Sequence, residues 1–340
     1  MQTTVPDELM TVELESRPKL NLDRSIPAIA RVSLADLTKK EFVKQYQNPG
    51  IPVIMTGLLE GKSRWDLDFL CQKLGDRQFL LRQYGKQRYQ QDKRQWDNIG
   101  SGVQTERKAF QTYANLLRSG EAKEKDIYLA KCSINETPLK QEKIIQEARQ
   151  KIVEIGLDKP ISHFNIWVGP SSHVECLHYD QMDGTLIQLY GTKKVILFPP
   201  SQTPNLYPFS IFVHLYRGLE MRSWFSKLYP EQPDFQAFPN YRKALPYKQE
   251  VLLAPGEILY IPAGWWHEVS ALGNTLGDDM VCSINRFWRV YPTLRAVFSW
   301  NRWRGYLGSA FAVPHLIVSL ILAFFSRDRE QKIKKIMQML

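Results

Sequence analysis

The sequence predicts a mainly β fold, a sandwich or barrel, with α-helices flanking it on its N- and C-terminal sides. Three observations carry this. From Ile161 to Trp288 the chain is a succession of short apolar runs broken by Gly and Pro, the grammar of many short strands with turns at their ends. Before that stretch, apolar residues recur at helical spacing in several segments. After it, Tyr306 to Phe325 contains no charged residue.

At 340 residues the chain can bury a substantial core, and its length permits one or two domains. The four cysteines, Cys71, Cys132, Cys176 and Cys282, form no C-x-x-C pair. That argues against a zinc ribbon or a disulfide framework and fits a reducing, cytoplasmic setting. The first residues, MQTTVPDELMTVELESRPK, lack the apolar stretch of a secretory signal. The net charge of +10 is spread along the chain. Such a surface is either simply solvated or suited to an acidic partner such as RNA or anionic lipid.

Taken in order, 1–25 is a polar, Pro-punctuated leader. The stretch 26–160 reads as an α/β part packed on the barrel. Within it, Ser33 to Tyr46 has helical spacing with Thr38 as N-cap, and Ile51 to Met55 is a short buried strand after an Asn-Pro-Gly turn. Trp65 to Leu74 is an amphipathic helix and Gln78 to Gln83 a strand. Gly85 to Gly102 is a polar surface loop or a hairpin near a substrate. Ala109 to Ser119 is a helix, Ile127 to Ala130 a strand, and Pro138 to Ile155 a charged outer helix.

The stretch 161–290 holds the barrel. Its strands are Phe164 to Val168 (stopped by Gly169-Pro170), Cys176 to Asp180, Thr185 to Tyr190, Lys193 to Phe198, Glu250 to Leu253, Ile258 to Ile261 and Val281 to Phe287. Leu186 to Phe198 reads as a hairpin turning at Gly191-Thr192. The aromatic, Pro-rich insert Tyr207 to Tyr247 is long enough to be a lid or binding loop. The stretch 291–340 is helical. Its apolar segment 306–325 is flanked by Trp, Tyr and Arg on one side and by Arg and Lys on the other. It is either a pair of helices broken at Pro314 that packs on the barrel or on a second subunit, or a membrane-associated segment.

The chemistry concentrates in two stretches. His178 and Asp180 are two apart, so on a strand both face one side. His267 ends the run Glu257-Ile-Leu-Tyr-Ile-Pro-Ala-Gly-Trp-Trp, and an antiparallel barrel can bring it alongside. Two imidazoles and one carboxylate on one side of an ion leave three octahedral positions open, the donor set of non-haem Fe(II) oxygenases. H-x-D alone is weak. H-x-D followed by Gly-x-Lys, Pro-Pro, Pro-Gly-Glu and Trp-Trp-His is far more specific. Lys194 rivals Lys193, since alternation puts only one of them inside.

The text His178-Tyr-Asp180, Gln188-Leu-Tyr-Gly-Thr-Lys193, Leu197-Phe-Pro-Pro, Leu206-Tyr-Pro, Pro255-Gly-Glu-Ile-Leu-Tyr-Ile-Pro and Trp265-Trp-His267 resembles the JmjC-like cupin family of 2-oxoglutarate oxygenases, in particular the group of the asparaginyl hydroxylase of hypoxia signalling. The resemblance covers Ile161 to Trp288 and reaches weakly back to Ile51. It implies a double-stranded β-helix, Fe(II) held by His178, Asp180 and His267, and 2-oxoglutarate as co-substrate. It also implies that Lys193 holds the distal carboxylate of that co-substrate, with Tyr128 and Asn285 nearby. Gly184 stands where relatives often have Asn, and Arg286 offsets Asn285 from the usual Asn-Phe-Trp text. Trp265 and Trp266 either wall the pocket or pack in the core. His163, His173, His214 and His315 read as structural or surface residues. The resulting expectation is a dioxygenase that hydroxylates a protein or peptide side chain, as a homodimer through its C-terminal helices. The alternatives are a tRNA nucleoside hydroxylase and a non-catalytic metal-binding cupin.

Overall fold

Two sheets, antiparallel except for one parallel pair at an edge of the larger, face each other and hold the site between them. The computed structural model describes residues 28–58, 64–99, 103–274 and 278–339; the leader 1–25 lies outside the described residues. The strands are β1 (Ala30–Ser33), β2 (Val53–Thr56), β3 (Gln78–Gln83), β4 (Gln104–Ala109), β5 (Ile127–Ser133), β6 (Asn165–Pro170), β7 (Val174–Tyr179), β8 (Asp183–Tyr190), β9 (Thr192–Phe198), β10 (Gln249–Leu253), β11 (Ile258–Ile261), β12 (Trp266–Gly273) and β13 (Met280–Trp288). The larger sheet has the order β1-β2-β11-β8-β13-β6-β5-β3-β4, the smaller β10-β9-β12-β7. Four strands of the larger sheet, β11, β8, β13 and β6, face the four of the smaller one. This is the jelly-roll, or double-stranded β-helix, core. β1 to β5 do not form a separate layer but extend the larger sheet at both edges.

Each sheet has two covered faces. The outer face of the larger sheet buries Leu81, Leu129, Val168, Ile187 and Ile284 against the helices Leu67–Leu74, Phe110–Arg118 and Lys143–Glu154. Between the sheets, Val195 and Leu197 of β9 meet Leu253, Leu259 and Ile261. The alternate residues Ile196 and Phe198 point outward, where Leu206, Phe238 and Tyr241 of the insert cover them. Strand period thus sorts one sequence run onto two cores. Thr38 caps its helix with a full capping box.

Several expectations need correction. Residues 186–198 do not form a hairpin. β8 pairs with β11 and β13, while β9 pairs with β10 and β12. The turn at Gly191 therefore carries the chain from one sheet to the other. Gly191 has φ +67°, and a Cβ there would lie 2.5 Å from the Met280 carbonyl, so the corner needs glycine. β6 runs through Gly169 and Pro170 instead of stopping before them. β4, with the polar text Gln-Thr-Glu-Arg-Lys-Ala, is an edge strand whose pattern gives no apolar period. His267 does not end the strand of Ile258; a turn intervenes and His267 is the second residue of β12. The loop after Gly85 is not wholly exposed, since Lys93, Trp96 and Ile99 are buried.

Pro314 does not break the C-terminal helix, which runs Trp300–Phe324 with that proline inside. Asn301, Gly305, Gly308 and Ala312 are its buried residues near the barrel. Beyond them Ile317, Val318, Ile321, Leu322 and Phe324 are exposed. Its length and composition would suffice to cross a membrane.

Candidate metal centre

β7 and β12 lie side by side, and His178 is the Cα partner of His267 across their ladder. The register then slips: Val269 pairs with Glu175, so β7 holds one residue more than β12 over this span. That bulge lets both His178 and Glu175 line the space between the sheets. Asp180 lies just past the end of β7, and its carbonyl accepts from the Gly264 amide at 2.8 Å. One donor atom from each of His178, Asp180 and His267 falls within 4.8 Å of the others. His267 Nε2 is 3.6 Å from Asp180 Oδ2.

The Nδ1–H of His178 donates to the Cys176 carbonyl (2.8 Å), and that of His267 to the Trp265 carbonyl (3.0 Å). A carbonyl can only accept, so each ring carries its proton on Nδ1 and keeps the Nε2 lone pair for the shared centre. Burial, reinforced by the neighbouring His178, pushes the His267 imidazole down to about 4. It is therefore neutral at physiological pH, which is the ligating form. Two imidazoles and a carboxylate converging in this way suit a divalent transition metal.

A cavity of about 310 Å³ opens from this cluster. Lys193 is buried in its wall, donating to Ser283 Oγ at 2.6 Å and lying 3.4 Å from the Tyr128 hydroxyl. Burial pushes the Lys193 ammonium down to about 8. Parity decides between the two lysines: Lys193 shares the inward face with Val195 and Leu197, whereas Lys194 points outward and pairs with Glu231. The Tyr128 ring stacks on His173 with centroids 3.9 Å apart, and His173 Nδ1 is 2.7 Å from Asp126 Oδ1. Asn285 also faces the cavity and accepts from Trp167 Nε1 at 2.8 Å. Arg286 donates away from it, to the Ser162 carbonyl. Gly184 lines the cavity with ordinary space beside it, a Cβ there coming no closer than 3.6 Å to Phe287.

The insert forms the near wall. Phe225 bridges to His178 in the ladder and stacks on its ring at 4.8 Å. The Tyr179 and Ser226 amides complete that edge, donating to the Trp224 and Leu177 carbonyls. Trp265 and Trp266 do not wall the cavity. Trp265 donates to the Gly50 carbonyl, and Trp266 packs under the insert against Tyr179. Trp167 and Trp224 line it instead. His163, His214 and His315 lie away from the cavity, whereas His173 lines it. Sequence reading also missed Arg82, Lys131, Glu175 and Arg222, all of which face the cavity. No spacing rule marks three of them, because Glu175 and Lys131 depend on bulges and Arg222 on the path of the insert; Arg82 follows plain alternation on β3, on the face opposite Leu81 and opposed to Tyr128.

The fold and the three converging side chains define a jelly-roll cupin with a candidate 2-His-1-carboxylate centre. The chain belongs to the family described as the cupin-like domain, whose profile matches residues 38–293. It is 29% identical over 192 residues to the lysine-specific demethylase JMJ31 of Arabidopsis thaliana, covering 56% of this chain and 32% of that protein. It is 25% identical over 283 residues to the tRNA wybutosine-synthesizing protein 5 of Gallus gallus, covering 79% and 80%. Human HSPB1-associated protein 1 matches at 38% over 122 residues, 35% of this chain and 22% of that one. The chain thus spans about a third of the Arabidopsis relative and about a fifth of the human one.

Proposed function

We propose that this protein is an Fe(II)- and 2-oxoglutarate-dependent dioxygenase that hydroxylates a protein side chain. The observation that carries this reading is the convergence of His178, Asp180 and His267 on a cavity whose wall holds the buried cation Lys193. Bound iron, with 2-oxoglutarate and O2, would supply the oxidising chemistry, the co-substrate leaving as succinate and CO2 while a substrate C–H bond gains an oxygen.

The chain's own residues do the rest. His178 and His267 donate nitrogen and Asp180 an anionic oxygen. The carbonyls of Cys176 and Trp265 fix both ring orientations. Lys193 offers a compact cation to the far carboxylate of the co-substrate, beside Tyr128 and Asn285. Phe225, stacked on His178, and Trp224 wall the ligand side of the cavity.

The test is anaerobic loading with Fe(II) and 2-oxoglutarate, then O2 exposure, with mass spectrometry of proteins and RNAs for a gain of one oxygen. Succinate release together with a modified peptide supports the reading. Metal binding without any succinate release would leave a non-catalytic cupin. The tRNA reading is favoured by one observation, the alignment with the wybutosine-synthesizing protein over most of both chains. Salt-dependent tRNA binding and an oxidised nucleoside would establish it instead.

We infer further that a second copy of the chain covers the exposed face of Trp300–Phe324. A detergent-free preparation that sedimented as a monomer would overturn this, and one that required detergent would favour membrane attachment.

A further inference from the structure

We propose that Arg82, Lys131 and Arg222 form a second, cationic subsite in the cavity, which selects substrate segments carrying an acidic side chain beside the oxidised position. This rests on the oxygenase reading above. Arg82 lies on β3, Lys131 on β5 and Arg222 in the insert, so three separate elements deliver positive charge to one space.

Lys131 is there because β5 breaks its own alternation. Tyr128 and Ala130 face the cavity and Leu129 the core behind. Plain alternation would send Lys131 back with Leu129. Instead the ladder to β6 slips between Leu129 and Cys132, Lys131 takes φ +59°, and it too lines the cavity. Cys132 then returns to the core side. A non-glycine residue at positive φ is a sparsely populated conformation that clusters at functional sites, and bulges re-aim side chains next to active sites.

The charge balance has the same direction. Arg82, Lys131, Lys193 and Arg222 face Glu175 and Asp180, an excess of two positive formal charges among the lysines, arginines and carboxylates. A divalent ion and a dianionic co-substrate cancel each other, so the excess persists in the loaded site. A substrate anion is its natural complement. Besides burial, Arg222 and Arg82 both disfavour the charged form of Lys131, while Glu175 and Asp180 favour it, so the three cations repel one another in part. An incoming carboxylate relieves that repulsion. The cavity volume, about 310 Å³, is at the bottom of the roughly 300–1,000 Å³ range of ligand pockets. With the co-substrate inside, the remainder suits an amino-acid side chain better than a nucleoside.

The test uses the full chain and two fluorescent peptide pools, one with Asp or Glu fixed at the centre and one with Asn or Gln there, with a lysine-centred pool and a single-stranded RNA as controls, all read by anisotropy. The wild type should prefer the acidic pool by about tenfold, the scale of a charge-assisted hydrogen bond. Lys131→Gln combined with Arg222→Gln should lose the preference, and Lys131→Arg should keep it. Lys131→Glu should shift binding toward a lysine-centred pool, an outcome no unfolded variant can give. Equal binding of both pools by the wild type, or a preference unchanged in the double variant, overturns the proposal. So does a single-stranded RNA probe that binds through Lys131 while neither pool binds. Because the readout is binding, absence of succinate release alongside an intact acidic preference would sink the oxygenase reading and leave the subsite standing.

Discussion

His178 and His267 are directly opposed partners in the β7–β12 ladder, with ring centroids 4.3 Å apart and both Nδ1 protons committed to backbone carbonyls. Their common use is to leave two lone pairs beside Asp180. His178→Ala, which removes one of three donors, should weaken Fe(II) binding by more than the roughly 10–100-fold typical of losing an outer partner. Equilibrium dialysis with metal analysis measures this. Succinate release should vanish in parallel, and persistence of turnover would show that the reacting metal sits elsewhere.

Lys193 sets a pH dependence. Its ammonium is pushed down to about 8 by burial, and only the charged form attracts a carboxylate. Affinity for 2-oxoglutarate should hold below pH 8 and decline above it, approaching tenfold per pH unit. Lys193→Arg should flatten the decline, because guanidinium stays charged throughout. Lys193→Ala should cost about 10–100-fold at pH 7, the scale of a lost hydrogen bond to a charged group. The ligand-free fold should move oppositely. The unfolded chain binds more protons at this lysine between about 8 and its ordinary value near 10.4, so that contribution to stability rises with pH across the window.

Gly169 is the space in which Tyr128 rests. A Cβ at Gly169 would lie 1.9 Å from Tyr128 Cδ2 and 2.1 Å from its Cε2. Gly169→Ala must therefore dislodge the ring from its stack on His173 and from Lys193. Overpacking of this kind costs about 1–3 kcal/mol, measurable by urea unfolding. Combining it with Tyr128→Ala should recover part of that loss, and additive costs would show that the two groups do not collide.

What the sequence made legible was whatever depends on a fixed period. His178, Asp180 and His267 could be assembled from i, i+2 alternation and a return strand, and Lys193 could be favoured over Lys194 by its Gly-x-Lys spacing. What stayed hidden depends on breaks in period. The bulge in β7 brings Glu175 to the face of His178, and the bulge in β5 does the same for Lys131. The turn at Gly191 looks locally like a hairpin, because a sheet-to-sheet corner uses the same glycine chemistry. Trp265 and Trp266 were ambiguous for another reason: a large aromatic beside a ligand serves a wall or a core equally, and only the path of the insert puts Trp266 in the core.

Asp183 opens β8 a few residues past His178 and Asp180 and is completely buried. It accepts from Arg295 through both carboxylate oxygens, from the Tyr260 hydroxyl at 2.9 Å and from the Ala263 amide at 2.8 Å. Arg295 belongs to the segment after the barrel, so this pair ties the C-terminal part to the turn below His267. A buried pair of this kind adds little over an apolar replacement, but removing one partner strands the other charge, at a cost of about 3–5 kcal/mol. Arg295→Met should destabilise by that amount in urea unfolding, and Asp183→Asn by less, because the amide oxygen still accepts from the Ala263 N–H while its NH2 group can donate to the Tyr260 hydroxyl, and the Arg295 side chain keeps partial contact with solvent. The double variant should be more stable than Arg295→Met alone, since no carboxylate is then left buried without its cation. Equal stability of the double variant and Arg295→Met would mean that Tyr260 and Ala263 alone suffice for Asp183.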